Sequence, residues 1–364
     1  MSSVFLVYRI CRKASIKQRP SISPTVPPTS IIHISGITPD IMIVRSESFI
    51  DDSTKKKLTL FCQVPETHIV VNPDVNSIYE VPLTFNKQNI GKHISDKLTL
   101  NFATPKLTLF TKFYRQLNNL ILPTITIGII GKYTKLTDSY LSIKNAIEHA
   151  ATHQQCKINI KWISSENVDL KLINMCDGII IPGGFGSRGI EGMIEVAKYC
   201  RINSIPLLGI CLGMHVMCIE AARCIYGSNC NSAEFDPNAD NLIVKIIDNN
   251  DKLGGSMKLG LHETFIKTRN ISNKSLAFKI YGNISIKERH RHRFEINPKY
   301  VPALSTKLFF SGNNDKSMDI VENTDHKFYF GCQYHPEFLS TLIKPSPVFL
   351  QLISSCLYSD KLSR

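Results

Sequence analysis

The segment PLLGICLG at residues 206–213 decides the fold of this 364-residue chain. Its apolar first half, Pro206–Ile210, has the length and composition of a buried strand, and a helix is predicted to begin at Leu212. Glycines at 209 and 213 flank Cys211, and their lack of a Cβ permits a sharp strand-to-helix turn that presents a nucleophile. The helix start beside the sulfur favours negative charge there. On this segment alone, a buried structural cysteine is the alternative.

Apolar strands alternate with amphipathic helices around this segment, which predicts an α/β fold with a doubly wound, mostly parallel sheet. Strands are predicted at Ile125–Ile130, Lys157–Ile163, Gly178–Ile181 and Pro206–Ile210, and helices at Leu136–His153 and Ile190–Asn203. Further strands of a mixed region are predicted at Leu242–Ile247, Ala277–Ile280, Lys307–Phe310, Met318–Val321 and Phe328–Gln333.

Two further motifs follow predicted strands. In CQYHPE, residues 332–337, His335 can act as the base that a cysteine nucleophile needs, and Glu337 can orient that base. In PGGFG, residues 182–186, consecutive glycines let backbone N–H groups point at a carbonyl oxygen, so this loop and the N–H of Leu212 could form an oxyanion hole. The loop lacks the Lys and Ser/Thr placement of a phosphate-binding P-loop.

Composition disfavours several other classes of protein. The net charge is +13, but the lysines are scattered and only Glu288–Arg293 is a short basic run, so a surface that attracts nucleotide phosphates is favoured over nucleic-acid binding. The eleven cysteines form no CxxC pair and lack the spacing of a secreted disulfide scaffold, so we expect a reduced, cytoplasmic protein. No apolar run reaches the roughly 18 residues that span a bilayer, so no membrane partner is expected.

The N-terminal third differs from the rest. Residues 1–30 are basic and rich in Ser and Pro, and we expect them to be disordered; a transit peptide is the alternative to a frayed or truncated terminus. Residues 31–100 are predicted to be compact α/β material, followed by a loose connector over Leu100–Pro123. Its elements are strands at Ile41–Arg45 and His68–Val71, a helix at Thr54–Phe61 and a turn at Asn72–Asp74.

The order of PGGFG, GICLGM and HPE resembles that of class I glutamine amidotransferases. Several other strings resemble the CTP synthase family in particular, and this likeness extends from about Ile125 to Leu357. These strings are GKY at 131–133, GGFGSRGIEG at 183–192, NSAEF at 231–235, GSMKLG at 255–260 and ERHRHRFE at 288–295. Ile37–Ser46, Leu60–Pro65 and Asn72–Pro82 resemble the end of that family's synthetase domain.

The resemblance implies a class I glutamine amidotransferase (flavodoxin-like) domain at residues 125–362, after a partial synthetase domain at 31–120 that lacks the ATP-binding loop. It implies hydrolysis of L-glutamine to glutamate and ammonia, with Cys211 as nucleophile, His335 as base and Glu337 as its orienter, and without a metal or cofactor. The residues that it assigns to glutamine are Gly184, Leu212, Gly213, Met214, His215, Glu234 and Arg293. Gly184 and Leu212 would form the oxyanion hole, Glu234 would contact the ammonium group, and His215 stands where the family usually has Gln.

In the complete enzyme, the resemblance implies that the ammonia aminates ATP-activated UTP to give CTP, with Mg²⁺, and that GTP is an allosteric activator. Phe185 and Arg188 fall on the loop that would contact GTP; a lid residue and a solvated charge are the alternative. The implied partners are a complete synthetase domain or a homo-oligomer, since the family forms tetramers. Two other functions stay open, namely a catalytically silent regulatory or assembly module and a hydrolase of another γ-glutamyl substrate.

Overall fold

The computed structural model describes residues 6–10, 39–117, 119, 121–134, 137–247, 257–268, 274–314 and 317–357. The chain divides into two compact units, residues 1–119 and 120–364. Within the described ranges, no helix is both long and apolar enough to cross a membrane.

The first unit contains a three-stranded parallel sheet of β1 (Leu6–Ile10), β2 (Ile41–Ser46) and β3 (Ile69–Pro73), in that order. Its helices are α1 (Asp52–Cys62), α2 (Val81–Lys87), α3 (Ile90–Leu98) and α4 (Thr108–Leu117). Helix α1 begins where the Asp51 carboxylate accepts a bond from Thr54 N at 2.7 Å, a typical N-cap. Its buried face packs with β2 and β3 in a small core that contains Met42, Val44, Leu58, Cys62, Val64 and Ile69.

Three predictions for this unit need correction. Strand β1 lies inside residues 1–30, so the expected disorder is wrong for these five residues; Leu-Val-Tyr-Arg-Ile has strong strand propensity and pairs along β2, whereas the other residues of 1–30 lie outside the described part. The connector over 100–123 contains helix α4, whose Phe113 is buried against Tyr79. Asn72 and Pro73 belong to β3 and not to a turn.

The second unit is built on a nine-stranded mixed sheet in the order β11-β10-β13-β14-β15-β7-β6-β4-β5. The five strands from β15 to β5 run parallel, and the other four extend the sheet in antiparallel pairs. The strands are β4 (Thr124–Gly131), β5 (Lys157–Ser164), β6 (Gly178–Ile181), β7 (Leu207–Ile210), β10 (Lys258–Ile266), β11 (Ser285–His292), β13 (Phe309–Asn313), β14 (Met318–Glu322) and β15 (Tyr329–Cys332). A small sheet contains β8 (Cys230–Ser232), β9 (Asn241–Ile246) and β12 (Phe294–Ile296).

Helices cover both faces of the parallel half, which confirms the predicted α/β class. Strands β6 and β7 are buried at every residue, as expected for central parallel strands. Helices α5 (Leu141–His153) and α11 (Pro347–Leu357) pack together, and α7 (Ile190–Ile202) packs with α8 (Leu212–Tyr226). The remaining helices are α6 (Leu170–Asn174), α9 (Leu276–Tyr281) and α10 (Val301–Leu304).

Two differences from the predicted elements concern the antiparallel half. Ala277–Ile280, predicted as a strand, lies in helix α9, because Ser275 caps it and the buried Glu322 carboxylate accepts bonds from Leu276 N and Ala277 N at 2.8 and 2.9 Å. The hairpin β10–β11 was not predicted. In the parallel half, the helix predicted from Leu136 begins with the 3₁₀ turn Thr137–Tyr140 before α5.

Candidate active site

The three motifs meet at the carboxyl edge of the parallel strands. Strand β6 leads into PGGFG, β7 into Cys211 and β15 into the segment that contains His335. Strands β7 and β15 are neighbours, and Cys211 N donates to Cys332 O at 2.7 Å. Topology therefore brings Cys211 and His335, the predicted nucleophile and base, together, although 124 positions separate them in the sequence (335 − 211).

Cys211 occupies a strained turn between β7 and α8. Its φ of 53° and ψ of −100° are unusual for a residue with a Cβ, and it is the N-cap of α8. The flanking glycines are needed because a Cβ on Gly213 would lie 2.2 Å from Ile181 O, and one on Gly209 would lie 2.7 Å from the carbonyl carbon of Gly213. The sulfur is thus fixed at the positive end of a helix dipole, where negative charge is stabilised.

His335 and Glu337 form a buried pair beside this sulfur. His335 Nδ1 lies 2.8 Å from Glu337 Oε1, the His335 ring stacks on Phe338 with centroids 4.9 Å apart, and His335 N donates to Arg289 O at 2.8 Å. Burial disfavours the imidazolium, but the Glu337 carboxylate and the hydrogen-bonded Cys211 sulfur outweigh it and raise the pKa of His335 to about 10. This arrangement suits an imidazolium–thiolate pair.

A cleft of about 420 Å³ opens onto these residues. Its lining contains the three predicted catalytic residues, the predicted oxyanion residue Gly184 and Phe185, which was predicted to contact GTP. The lining residues are Tyr133, Ser139, Tyr140, Ser142, Ile143, Gly183, Gly184, Phe185, Cys211, Arg291, His335, Glu337 and Phe338.

The other residues predicted to bind glutamine lie outside this lining. Leu212, Gly213, Met214 and His215 are buried in the first turns of α8, and the Leu212 side chain packs beside Gly184. Glu234 is half-buried, whereas Arg293 is exposed and the cleft is lined by Arg291 instead. The structure thus groups the three residues predicted to be catalytic, and their roles, like the assignments of Glu234 and Arg293 to glutamine, remain predictions.

His215 is connected to Cys211 through Gln333, a residue that the sequence did not single out. The two side chains meet at 2.7 Å between His215 Nε2 and Gln333 Oε1, and Gln333 Nε2 donates to Cys211 Sγ at 3.7 Å. Burial lowers the pKa of His215 to about 4, so the ring is neutral and Nε2 is the donor. The sequence feature that could have indicated this contact is the position of Gln333 within CQYHPE, close to His335.

Lys132 is a second residue that sequence reasoning gave no role, although it lies in the GKY string. Its Nζ donates to Phe185 O at 3.0 Å and also to Gly186 O. On the other side of the loop, Gly186 N donates to Glu234 Oε1 at 2.8 Å. Two charged side chains therefore hold the PGGFG loop: Lys132 binds two of its carbonyl groups, and Glu234 binds one of its amides.

Arg188, the predicted GTP contact, has three partners in this structure. Its guanidinium bonds Glu166 Oε1 at 2.6 Å and Lys132 O at 3.0 Å, and lies 5.6 Å from the centre of the Tyr133 ring. An incoming phosphate would compete with Glu166.

Strand β11 turns polar side chains towards the interior behind the cleft. Glu288 accepts from Tyr281 OH at 2.9 Å, and His290 Nδ1 lies 3.0 Å from His292 Nε2. Since His292 Nδ1 donates to Phe294 O at 2.9 Å, His290 must be the donor in the histidine pair. Burial lowers the pKa of His290 to about 2 and of His292 to about 3, so both rings are neutral.

Tyr140 connects the cleft to the single tryptophan. It lines the cleft, and its ring lies nearly parallel to Trp162 with centroids 6.2 Å apart. Its hydroxyl oxygen accepts from Lys132 N at 3.2 Å.

Comparison with known proteins agrees with this geometry. The family model for class-I glutamine amidotransferases matches residues 135–355, and the model for the CTP synthase N-terminus matches residues 3–100. CTP synthase of Pyrococcus furiosus is 40% identical over 329 residues, and that of Sulfolobus acidocaldarius is 41% identical over 332. These alignments cover 87% and 88% of this chain, but the chain spans only 60% and 61% of those relatives.

A solved structure of a glutaminase domain is also similar to this chain. The Trypanosoma brucei CTPS glutaminase domain with bound acivicin is 33% identical with a TM-score of 0.60, and the alignment covers 65% of this chain and 95% of that one. The fold and the cysteine turn define a class I glutamine amidotransferase. With the N-terminal match added, the chain belongs to the CTP synthase family.

Proposed function

We propose that this chain hydrolyses L-glutamine to glutamate and ammonia with Cys211 as the nucleophile. The observation that carries the proposal is the convergence of the strained Cys211 turn and the 2.8 Å His335–Glu337 pair on one cleft. Family membership and the likeness to a glutaminase domain support it.

The chemistry follows from the positions of these groups. The Cys211 thiolate attacks the γ-carboxamide carbon, and the N–H groups of Gly184 and Leu212 receive the resulting oxyanion. His335 gives its proton to the leaving nitrogen, the C–N bond breaks and ammonia departs. His335 then takes a proton from water, which attacks the thioester, releases glutamate and restores the thiolate.

Glutamine is favoured over another γ-glutamyl substrate because His215 does not enter the cleft. His215 stands where the family usually has Gln, and its side chain is accommodated by the hydrogen bond with Gln333. His215 is therefore not among the residues that line the cleft.

The test is glutamine turnover by the full chain and by Cys211→Ala, with Cys224→Ala as the control because Cys224 is exposed and lies in the last turn of α8, at the other end of that helix from Cys211. We expect no turnover in Cys211→Ala and unchanged turnover in Cys224→Ala. Acivicin, the compound bound in the trypanosomal domain, should label Cys211. Turnover that survives in Cys211→Ala would refute this mechanism, and absence of both turnover and labelling in the unmodified chain would favour a non-catalytic module.

For the complete enzyme, we propose that the ammonia aminates ATP-activated UTP, with Mg²⁺ at the synthetase and GTP as activator. Family membership supports this role, and the chain spans 60% of the length of the CTP synthase of Pyrococcus furiosus. Arg188 would exchange Glu166 for a GTP phosphate.

The expected GTP response of this chain alone is small. Glutamine hydrolysis should rise little with GTP concentration, and it should rise strongly when a complete synthetase partner is added. A strong response without that partner would show that residues 31–120 suffice for GTP binding.

A further inference from the structure

Lys132 is buried directly after strand β4, where a lysine is costly. Its side chain is only 6% exposed, and burial lowers its pKa to about 8, although the Glu234 carboxylate opposes this shift. Lysine is almost never buried to this degree without partners. Its partners therefore indicate what the residue does.

Those partners belong to the loop that would form the oxyanion hole. The Lys132 ammonium donates to Phe185 O at 3.0 Å and to Gly186 O, and it lies 5.7 Å from the centre of the Phe235 ring. Its stem passes Gly184 closely, since a Cβ on Gly184 would lie 3.9 Å from Lys132 Cδ. The side chain thus follows the loop from Gly184 to Gly186.

The backbone of Lys132 is itself fixed by hydrogen bonds. Lys132 N donates to the buried Tyr140 hydroxyl at 3.2 Å, and Lys132 O accepts from Arg188 at 3.0 Å. The residue follows directly on β4, which is paired on both edges. A glycine-rich loop has many backbone states, so fixing two successive carbonyls from a rigid strand removes most of them.

We propose that Lys132 is a positioning residue for hydrolysis, holding the carbonyls of Phe185 and Gly186 so that the Gly184 N–H points at the oxyanion. The inference rests on the proposed glutaminase function. Lys132 itself makes no contact with the reacting atoms. Because an oxyanion donor must lie within a few tenths of an ångström of its place, the loss of this support acts on turnover more than on binding.

The test uses the full chain and compares Lys132→Met with Lys144→Met, since Lys144 is an exposed residue paired with Glu148. For Lys132→Met we expect kcat for glutamine to fall about 10- to 100-fold, with KM changed less, because a whole oxyanion donor is worth about 10²–10³. Alkylation of Cys211 by iodoacetamide, followed by peptide mass spectrometry, needs no oxyanion hole and should stay within about twofold. Lys144→Met should change neither rate.

A readout without substrate separates this inference from the proposed function. Amide hydrogen exchange in residues 182–186 should be faster in Lys132→Met than in the unmodified chain and unchanged in Lys144→Met. If the unmodified chain hydrolyses no glutamine, the proposed function fails, and faster exchange still supports the loop-positioning role. Unchanged kcat with unchanged exchange would overturn the inference, as would a parallel loss of kcat and alkylation.

Lys132→Gln provides a second variant if Lys132→Met does not fold. Its amide keeps one pair of donors but is shorter, so kcat should fall less than in Lys132→Met and exchange should rise less. Equal values for Lys132→Gln and the unmodified chain would overturn the inference.

Discussion

At the residue scale, the turn at Cys211 depends on the absence of two Cβ atoms. We expect Gly213→Ala to lower the free energy of unfolding by about 3 kcal/mol, because its Cβ would lie 2.2 Å from the Ile181 carbonyl oxygen and the central strand cannot move away. Gly184→Ala is the matched control for stability, since its Cβ would meet two flexible side chains, Leu212 at 3.2 Å and Lys132 at an ordinary contact distance of 3.9 Å. Chemical denaturation checks both, and equal destabilisation would show that strand β6 yields easily.

The pair of His335 and Glu337 should give a pH-dependent signature. Replacing Glu337 by Gln removes the charge that raises the pKa of His335, so we expect kcat to fall by about 10²- to 10⁴-fold. The pH–rate profile should shift as well, because the base then loses its proton at lower pH. A kcat within twofold of the unmodified chain would show that Glu337 does not orient the base.

The same pair contributes to stability in a defined pH window. The pKa of folded His335 is raised from 6.5 to about 10, so its stabilising contribution is complete below pH 6.5 and is lost as pH rises through 10. The difference in free energy of unfolding between the unmodified chain and Glu337→Gln should therefore shrink over pH 6.5–10. A constant difference across that window would contradict the assignment of the raised pKa to Glu337.

At the scale of the element, strand β11 places a carboxylic acid in the interior. Burial raises the pKa of Glu288 from 4.5 to about 7; the Tyr281 hydrogen bond opposes this, Glu337 adds to it and Lys344 opposes it. Glu288 thus favours the native state below pH 4.5, and this contribution is lost as pH rises through 7. Relative to Glu288→Gln, the unmodified chain should lose on the order of 3 kcal/mol at most over this range.

Glu195→Gln is the control for this prediction, because Glu195 is exposed on α7. Urea unfolding at pH 5 and pH 8 should show a pH-dependent difference for Glu288→Gln and none for Glu195→Gln. The same dependence in both variants would mean that Glu288 titrates normally.

The elements that sequence reasoning missed have patterns that contradict the usual rule of apolar inside and polar outside. Strand β10 exposes Leu259, Leu261 and Phe265, and the buried positions of β11 include Glu288 and two histidines. Both strands alternate between buried and exposed positions, but several of the exposed side chains are apolar and several of the buried ones are polar. Helix α9 is short and apolar like a strand, and the carboxylate that caps it lies 46 positions further along the chain.

The parallel half of the sheet and the grouping of the candidate catalytic residues were predictable for a physical reason. Strands β6 and β7 are continuous apolar runs, and Cys211, His335 and Gly184 follow strand ends, where topology brings residues together. The roles of Lys132 and Gln333 were not predictable, because they depend on hydrogen bonds to residues 53 and 122 positions away. The sequence alone does not show which of two distant residues form a hydrogen bond with each other.

At the scale of the whole molecule, the two units have separate apolar cores. Among the described residues, the core that contains Leu58 lies within the first unit, and the two cores that flank the large sheet lie within the second. We therefore expect calorimetry of the full chain to resolve two unfolding transitions.

Matched variants assign these transitions. Leu58→Ala, at a buried site of the first unit, should cost about 2–5 kcal/mol and lower only one transition, and Leu352→Ala in α11 should lower only the other. One cooperative transition that moves with both variants would show that the units unfold as a single body.

The stacking of Tyr140 on Trp162 gives the molecule an optical reporter of its own. Trp162 is the sole indole in the chain, and its stacked neighbour Tyr140 lines the cleft, so fluorescence excited at the red edge of absorption comes from one position next to a residue of the cleft. A ligand that displaces water from Tyr140 or shifts its ring alters the surroundings of that indole. Emission should therefore change as glutamine or acivicin enters, so that occupancy can be followed in stopped flow without a label, and the change should be much smaller in Tyr140→Leu.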